Sequence, residues 1–255
     1  MSPCQKKKRL DQLLTECGLA VDLKKAQALI GAGQVIVNTR TDYKAGSLVA
    51  EESEIRLRKK KSAFVSRGGE KLAGGLAQLN ISPKNWICAD IGCSTGGFTD
   101  CLLSSGAVRV YAVDVGYGLL AWKLRQDKRV ILHERTNARY LTHQHIPEPL
   151  DLAVLDASFI SLQFLLPPLL PLFGSTVRLL ALVKPQFELA REKVGTGGVV
   201  REKGLHQEAI ASVREFAEGI GLSCQGEVAS PVCGAKGNQE FLLYFTALDH
   251  IKKEV

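Results

Sequence analysis

The segment Asp90-Ile91-Gly92-Cys93-Ser94-Thr95-Gly96-Gly97-Phe98-Thr99 is the strongest local signal of chemistry in the chain. It follows a short apolar run and opens a helical pattern. Glycines at such a turn let the backbone approach a ligand closely. The block is not the dinucleotide GxGxxG fingerprint, and no Gly-Lys-Ser/Thr follows to make a P-loop. A second acid, Asp114, ends the next apolar run. Four further charged residues, Lys71, Asp156, Lys184 and Glu240, fall at or beside the ends of comparable runs. Singly, each reads as half of a surface ion pair. Their common placement favours one site in which amines and carboxylates handle protons and charge. Glu240 is the weak member, because it begins its run. It reaches the others only if that strand runs antiparallel to the rest.

The elements that must position these residues follow from hydrophobic patterning. Apolar runs at Trp86–Ile91, Val108–Val113, Val130–Leu132, Leu150–Leu155, Leu179–Val183 and Phe241–Thr246 read as strands, with an amphipathic helix at His206–Gly219. Strands separated by helical segments predict an α/β fold: a mostly parallel sheet with helices on both faces. Ligands of such sheets bind outside the carboxyl ends of the strands. The first sixty residues differ. Two short amphipathic helices broken at Gly18 precede Val35–Val37 and a small hairpin-like element through Leu57, and the run Arg58–Lys61 ends it. The expected division is a small α+β domain over 1–61, a connector over 62–65 and the larger domain over 66–255.

The acidic strand end, glycine turn and second acid resemble the S-adenosylmethionine site of Rossmann-like methyltransferases. On that resemblance Asp114 would accept the two ribose hydroxyls, and Gly92, Gly96 and Gly97 would leave room for the methionine part. Asp90, Ser94, Thr95, Phe98 and Asp156 complete the implied cofactor set, and Asn137, within Glu134–Arg139, is the choice for the adenine edge. A turn or cap is the plainer reading of Asn137. Lys71, Asp156, Lys184 and Glu240 are similar to the Lys-Asp-Lys-Glu tetrad of FtsJ-type ribose 2′-O-methyltransferases. The blocks Ser66–Leu72, Ser94–Thr99, Val113–Gly118, Glu134–Arg139, Asp156–Leu162 and Val183–Glu188 resemble the TlyA family. So do Arg9–Asp11, Gly18–Ala20 and Ile30–Asn38 near the start. The resemblance implies an S-four-type RNA-binding module joined to an FtsJ-like domain with an antiparallel last strand. The implied activity is 2′-O-methylation of a cytidine in ribosomal RNA. Lys184 is read as the base that takes the hydroxyl proton, the alternative being a charged amine that steadies the developing oxyanion. Two departures stand out: Asp22-Leu23-Lys24 replaces the usual Ser-Arg before the second helix, and Cys93 sits where many relatives have Ala or Gly.

Charge supports an anionic partner. The chain has 255 residues and a formal charge of +7. Residues 1–62 hold 13 Lys/Arg against 7 Asp/Glu, a net +6, and the remainder 20 against 19. Such asymmetry points to nucleic acid or a membrane surface. Lys6, Lys7, Lys8, Arg9, Lys24, Lys25, Arg58, Lys59, Lys60 and Lys61, with Arg67 in the larger domain, are the expected phosphate contacts. RNA rather than DNA follows from a ribose 2′-hydroxyl acceptor. The seven cysteines match no zinc spacing and read as buried free thiols of a cytoplasmic protein. The apolar stretch Phe164–Phe173 is short and broken by prolines, so no membrane span or stable membrane association is expected. A cytosine-C5 enzyme would need a Pro-Cys loop outside the tail, and an amino-directed enzyme an Asn/Asp-Pro-Pro-aromatic block where Asp156-Ala157-Ser158-Phe159 stands. A membrane-active haemolysin, a name attached to the resembled family, and an RNA-binding adaptor with an inactive methyltransferase domain are the competing readings.

Overall fold

Leu10, Leu13 and Leu14 recur at helical spacing and face inward from α1 (Leu10–Glu16), which follows the short strand β1 (Lys7–Arg9). The computed structural model describes residues 6–58 and 63–248. Gly18, at φ +68°, adopts the left-handed conformation that ends the turn after α1. The Asp22 carboxylate accepts from the Lys25 amide at 2.6 Å and so caps α2 (Leu23–Gly31), despite the missing Ser-Arg pair. Strands β2 (Val35–Val37), β3 (Leu48–Ala50) and β4 (Ile55–Leu57) follow. The single hairpin expected here is instead two separate antiparallel ladders, β1 with β3 and β2 with β4. Three-residue strands carry too little pattern to reveal their partners. Leu10, Leu14, Ala26, Ile30, Val35, Val37 and Val49 form their own core, and the chain divides into compact units at Lys61/Ser62.

The second unit begins differently from the expected connector. Phe64 and Val65 pack on its core, and the Val65 amide donates to Asp100 Oδ2 at 2.8 Å. Ser66 then caps α3 (Arg67–Gln78). In order follow β5 (Ile87–Ile91), α4 (Gly97–Ser104), β6 (Arg109–Val113), α5 (Trp122–Arg125), β7 (Val130–His133), β8 (Leu152–Leu155), α6 (Leu166–Leu169), β9 (Thr176–Val183), α7 (Pro185–Glu188), α8 (Lys203–Gly219), β10 (Ser223–Ala229) and β11 (Phe241–Leu248). The sheet order is β10-β11-β9-β8-β5-β6-β7. The five strands from β9 to β7 are parallel, and β11 is antiparallel to both β9 and β10. Side chains alternate between faces, as strand geometry requires. Ala153 and Leu155 join one core layer, and Leu152 and Val154 join the other. Strand β10 was not expected: Ser-Cys-Gln-Gly-Glu-Val-Ala is a polar edge sequence with an irregular register at Cys224/Gly226. The proline-broken stretch forms short helical turns, not a long helix.

Candidate active site

The parallel strands deliver Asp156 and Lys184 to one edge, directly after β8 and β9. Phe241 of β11 pairs with Val183, so Glu240 arrives at that same edge from the opposite direction. The condition on Glu240 is therefore met. Lys71, one turn into α3, meets it there: its Nζ donates to Glu240 Oε2 at 2.5 Å, and both residues are buried. Lys184 Nζ lies 2.7 Å from Asp156 Oδ1. That contact lacks hydrogen-bond alignment, and the directed bonds of the amine go to Ser158 Oγ at 2.8 Å and the Asp156 carbonyl at 3.5 Å. The tetrad is thus two ion pairs, each lysine having its own carboxylate. Burying such groups is tolerable because each is paired.

Two cavities adjoin this edge, and both are bordered by Gly92, Ser94 and Asp156. The larger, about 350 Å³, lies against Asp114, Asn137, Ser158 and Phe159. The smaller, about 220 Å³, lies against Arg67, Lys71, Thr95, Gly97, Phe98 and Gly234. Asp114 ends β6 and accepts from the Ser94 amide at 2.8 Å and the Gly116 amide at 2.7 Å. Those bonds hold the carboxylate at the cavity wall, where its remaining lone pairs can take hydroxyl donors. Asn137 borders the cavity, and its side chain also accepts from the Arg139 amide at 3.1 Å, capping a short turn. The turn-cap reading of Asn137 therefore describes it, and its place on the cavity wall is compatible with a contact to the adenine edge.

Asp90 lies apart from the other residues of the implied cofactor set. It is fully buried behind the turn and borders neither cavity. Its Oδ2 accepts from the Thr99 amide at 2.8 Å and the Thr99 hydroxyl at 2.6 Å, tying β5 to the first turn of α4. Burial pushes its carboxyl up to about 7, because the charged form is poorly solvated there. The glycines also make room for neighbouring protein. A Cβ on Gly96, at φ +91°, would lie 2.3 Å from Leu124, and one on Gly97 would lie 2.2 Å from Ser66 Oγ. On Gly92, at φ +83°, it would meet the Asp156 carbonyl at 2.9 Å. Cys93 packs as a buried thiol, together with Cys88 and Cys101, whereas Cys17 and Cys233 are exposed and correct the all-buried reading. Cys4 lies outside the described residues.

Sequence reasoning passed over three residues here. Ser158 takes a bond from Lys184 Nζ. Phe159 is 90% exposed at φ +65°, an unusual conformation for a bulky side chain and one enriched at active sites and ligand clamps. Gly234 borders the smaller cavity, where its missing side chain admits Glu240. Their only sequence signal was proximity to Asp156 and Glu240.

The FtsJ-like methyltransferase family matches residues 64–247. TlyA of Mycobacterium tuberculosis, a 16S/23S rRNA (cytidine-2′-O)-methyltransferase, is 42% identical over 92% of this chain and 88% of its own. The chain belongs to the TlyA family. Hemolysin A of Brachyspira hyodysenteriae is 37% identical over 93% of this TlyA-family chain and 99% of its own. A solved structure titled as a hemolysin from Streptococcus thermophilus aligns over 96% of this chain and 90% of its own, at TM-score 0.73 and 41% identity. The cofactor of this TlyA-family enzyme is S-adenosylmethionine, and the larger cavity fits it. Asp114 would accept the ribose hydroxyls, the 92–94 turn would supply close backbone, and Asn137 would supply a polar edge.

The steric role of Gly234 gives a first prediction. Its φ of −67° suits alanine, so Gly234→Ala acts through space alone. The added Cβ would lie 2.0 Å from Glu240 Oε1, which Lys71 holds in place. Losing that hydrogen bond between charged groups is expected to slow single-turnover methyl transfer at least about tenfold. S-adenosylmethionine affinity by calorimetry should barely move. An unchanged rate would show that the Lys71–Glu240 geometry is dispensable.

In the first unit Lys6, Lys7, Lys24, Lys25 and Arg58 are exposed. Lys8 pairs with Glu16 at 2.6 Å, and Arg9 with the buried Asp11 at 2.7 Å, so these two are partly committed within the fold. Lys59, Lys60 and Lys61 lie outside the described residues. Arg67 is exposed at the start of α3, beside the smaller cavity.

Proposed function

We propose that this chain transfers a methyl group to the ribose 2′-hydroxyl of a cytidine in ribosomal RNA. The observation that carries the reading is the placement of two lysine–carboxylate pairs at the strand edge that also walls the cofactor cavity. The relative from Mycobacterium tuberculosis, named for this reaction on 16S and 23S rRNA, supports it. S-adenosylmethionine supplies an electrophilic methyl. A ribose hydroxyl is a weak nucleophile, so a base must take its proton as the oxygen attacks in line. Lys184 Nζ is assigned that proton. Asp156 and Ser158 border the cofactor cavity and hold the amine directly behind that wall. Lys71, locked by Glu240, faces the smaller cavity and steadies the developing negative charge on the oxygen.

The first unit is read as the S-four-type RNA-binding domain. Its exposed Lys6, Lys7, Lys24, Lys25 and Arg58 would meet phosphates, and the enzyme would act in the cytoplasm, where ribosomes are. Phe159, at the rim of the cofactor cavity, offers a flat apolar face on which an unstacked base could lie, the usual way such a base is held. The deciding experiment maps 2′-O-methyl groups on ribosomal RNA from cells with and without the protein. One or more cytidine sites should vanish in its absence; identical maps would overturn the assignment. Relatives carry haemolysin names, but among the described residues no helix is long and apolar enough to cross a membrane. Dye release from liposomes at physiological salt separates that activity from methylation.

A further inference from the structure

The residues after Asp156 and after Lys184 run beside one another and are joined by three contacts. Lys184 Nζ donates to Ser158 Oγ at 2.8 Å. The rings of Phe187 and Phe159 lie 5.0 Å apart. At the far end the Glu188 carboxylate takes two bonds, from the Ser161 hydroxyl to Oε2 at 2.6 Å and from the Leu162 amide to Oε1 at 3.0 Å. Ser161 Oγ also accepts from the Gln163 amide at 3.2 Å, so it caps the turn that ends the loop. The first contact belongs to the tetrad, and the third belongs to nothing assigned so far.

Glu188 is an expensive way to close a loop. Burial pushes its carboxyl up from the ordinary range, and its two hydrogen bonds pull it back. Neither partner is a cation, and none of the ion pairs among the described residues includes Glu188. An apolar contact would anchor the loop at lower cost, since even half-burying a carboxylate without a counter-charge is unfavourable. What the carboxylate adds is direction. Two donors on successive residues are fixed by one rigid group, which sets the path of the chain between Asp156 and Leu162. Within that path Phe159 holds its left-handed conformation with its ring outward, and Ser158 faces Lys184.

We propose that Glu188 is a positioning residue for methyl transfer: it holds the 157–161 loop so that Phe159 presents its ring to the target nucleotide while Ser158 receives Lys184. This rests on the RNA methyltransferase reading above. Glu188→Gln tests it, because the amide keeps the shape but can accept at only one of its two terminal atoms. A residue that merely supports the fold loses stability and activity together. Here the two should part. The variant should melt close to the wild type, since a half-buried charge without a counter-cation is removed as one hydrogen bond is lost, yet transfer methyl to ribosomal RNA about tenfold more slowly, the scale of one lost hydrogen bond to a charged group. Its KM for S-adenosylmethionine should stay within twofold.

The second arm is a double-mutant cycle with Phe159→Ala. If Glu188 acts through the loop, its substitution in that background should cost less than about twofold, because coupled residues are non-additive. An unaltered single-variant rate, or a full tenfold loss added to that of Phe159→Ala, overturns the proposal. Should Glu188→Gln not fold, Ser161→Ala removes a bond from the other side and must show the same dependence on Phe159. Wild-type enzyme assayed with ribosomal subunits is the reference. If it methylates no ribose there, the functional reading fails first and is recognised separately.

Discussion

Lys184→Ala should bind S-adenosylmethionine almost as the wild type does and transfer essentially no methyl. Lys184 is 7% exposed and borders neither cavity; Asp156 and Ser158, which hold its amine, form that part of the wall. The cofactor wall therefore survives its removal. The proton acceptor does not, and general-base catalysis accounts for about 10²–10⁴ in rate. Truncation also leaves the Asp156 carboxylate without its cation, which in a closed interior costs about 3–5 kcal/mol. Asp156 keeps 21% side-chain exposure, so the cost here should be smaller. Lys184→Met, which fills the same volume, controls for packing. Calorimetry for cofactor, a thermal melt and single-turnover methylation of ribosomal RNA check the three parts. Methylation at a tenth of the wild-type rate would remove Lys184 from the chemistry. Loss of cofactor binding would make it a structural residue instead.

Asp114→Ala should have the opposite signature, with cofactor affinity lost first. The carboxylate serves two purposes. It organises the site by accepting from the Ser94 and Gly116 amides, and it presents its remaining lone pairs to the cavity. Hydrogen bonds to a charged acceptor contribute about 1.5–3 kcal/mol each, so two ribose hydroxyls left unpaired correspond to an affinity loss on the order of 10²–10⁴. Asp114→Asn keeps the shape but turns an amide N–H₂ toward a backbone donor. It should also bind weakly, which distinguishes acceptor chemistry from bulk. A dissociation constant within threefold of wild type in either variant would place the ribose elsewhere. Saturating cofactor should recover much of the methyl-transfer rate for Asp114→Ala and none for Lys184→Ala.

Much of this arrangement is legible in the residue order, for identifiable reasons. Parallel strands are nearly continuous apolar runs, and β6, β8 and β9 each end where a charged residue interrupts the run, so Asp114, Asp156 and Lys184 announce themselves. Glu240 was readable only conditionally, because strand direction is invisible in a run of Phe-Leu-Leu-Tyr-Phe. The turn glycines were recognised, but part of their purpose was not: Leu124 and Ser66, 28 and 31 residues away from Gly96 and Gly97, occupy the space they leave. The facing of Asp90 was not readable, because an acid at a strand end looks alike whether it faces a cavity or the first turn of a helix. Ser158, Glu188 and Gly234 escaped notice because their roles exist only between elements. The Glu188–Ser161 bond spans 27 positions, and no local pattern encodes it.

The shared wall of the two cavities sets a rule for ligand design. Gly92, Ser94 and Asp156 border both spaces. A nucleoside analogue confined to the larger one meets an environment common to many enzymes that use the same cofactor. A compound that also enters the smaller one has to carry its linker past Asp156 and end in a group suited to Lys71 and Arg67. An acceptor such as a carboxylate or sulfonamide at that end would interrogate the lysine–carboxylate pairing directly. Selectivity would then come from the acceptor half of the reaction, with the tether beside Asp156 kept narrow enough to clear the Gly92 turn.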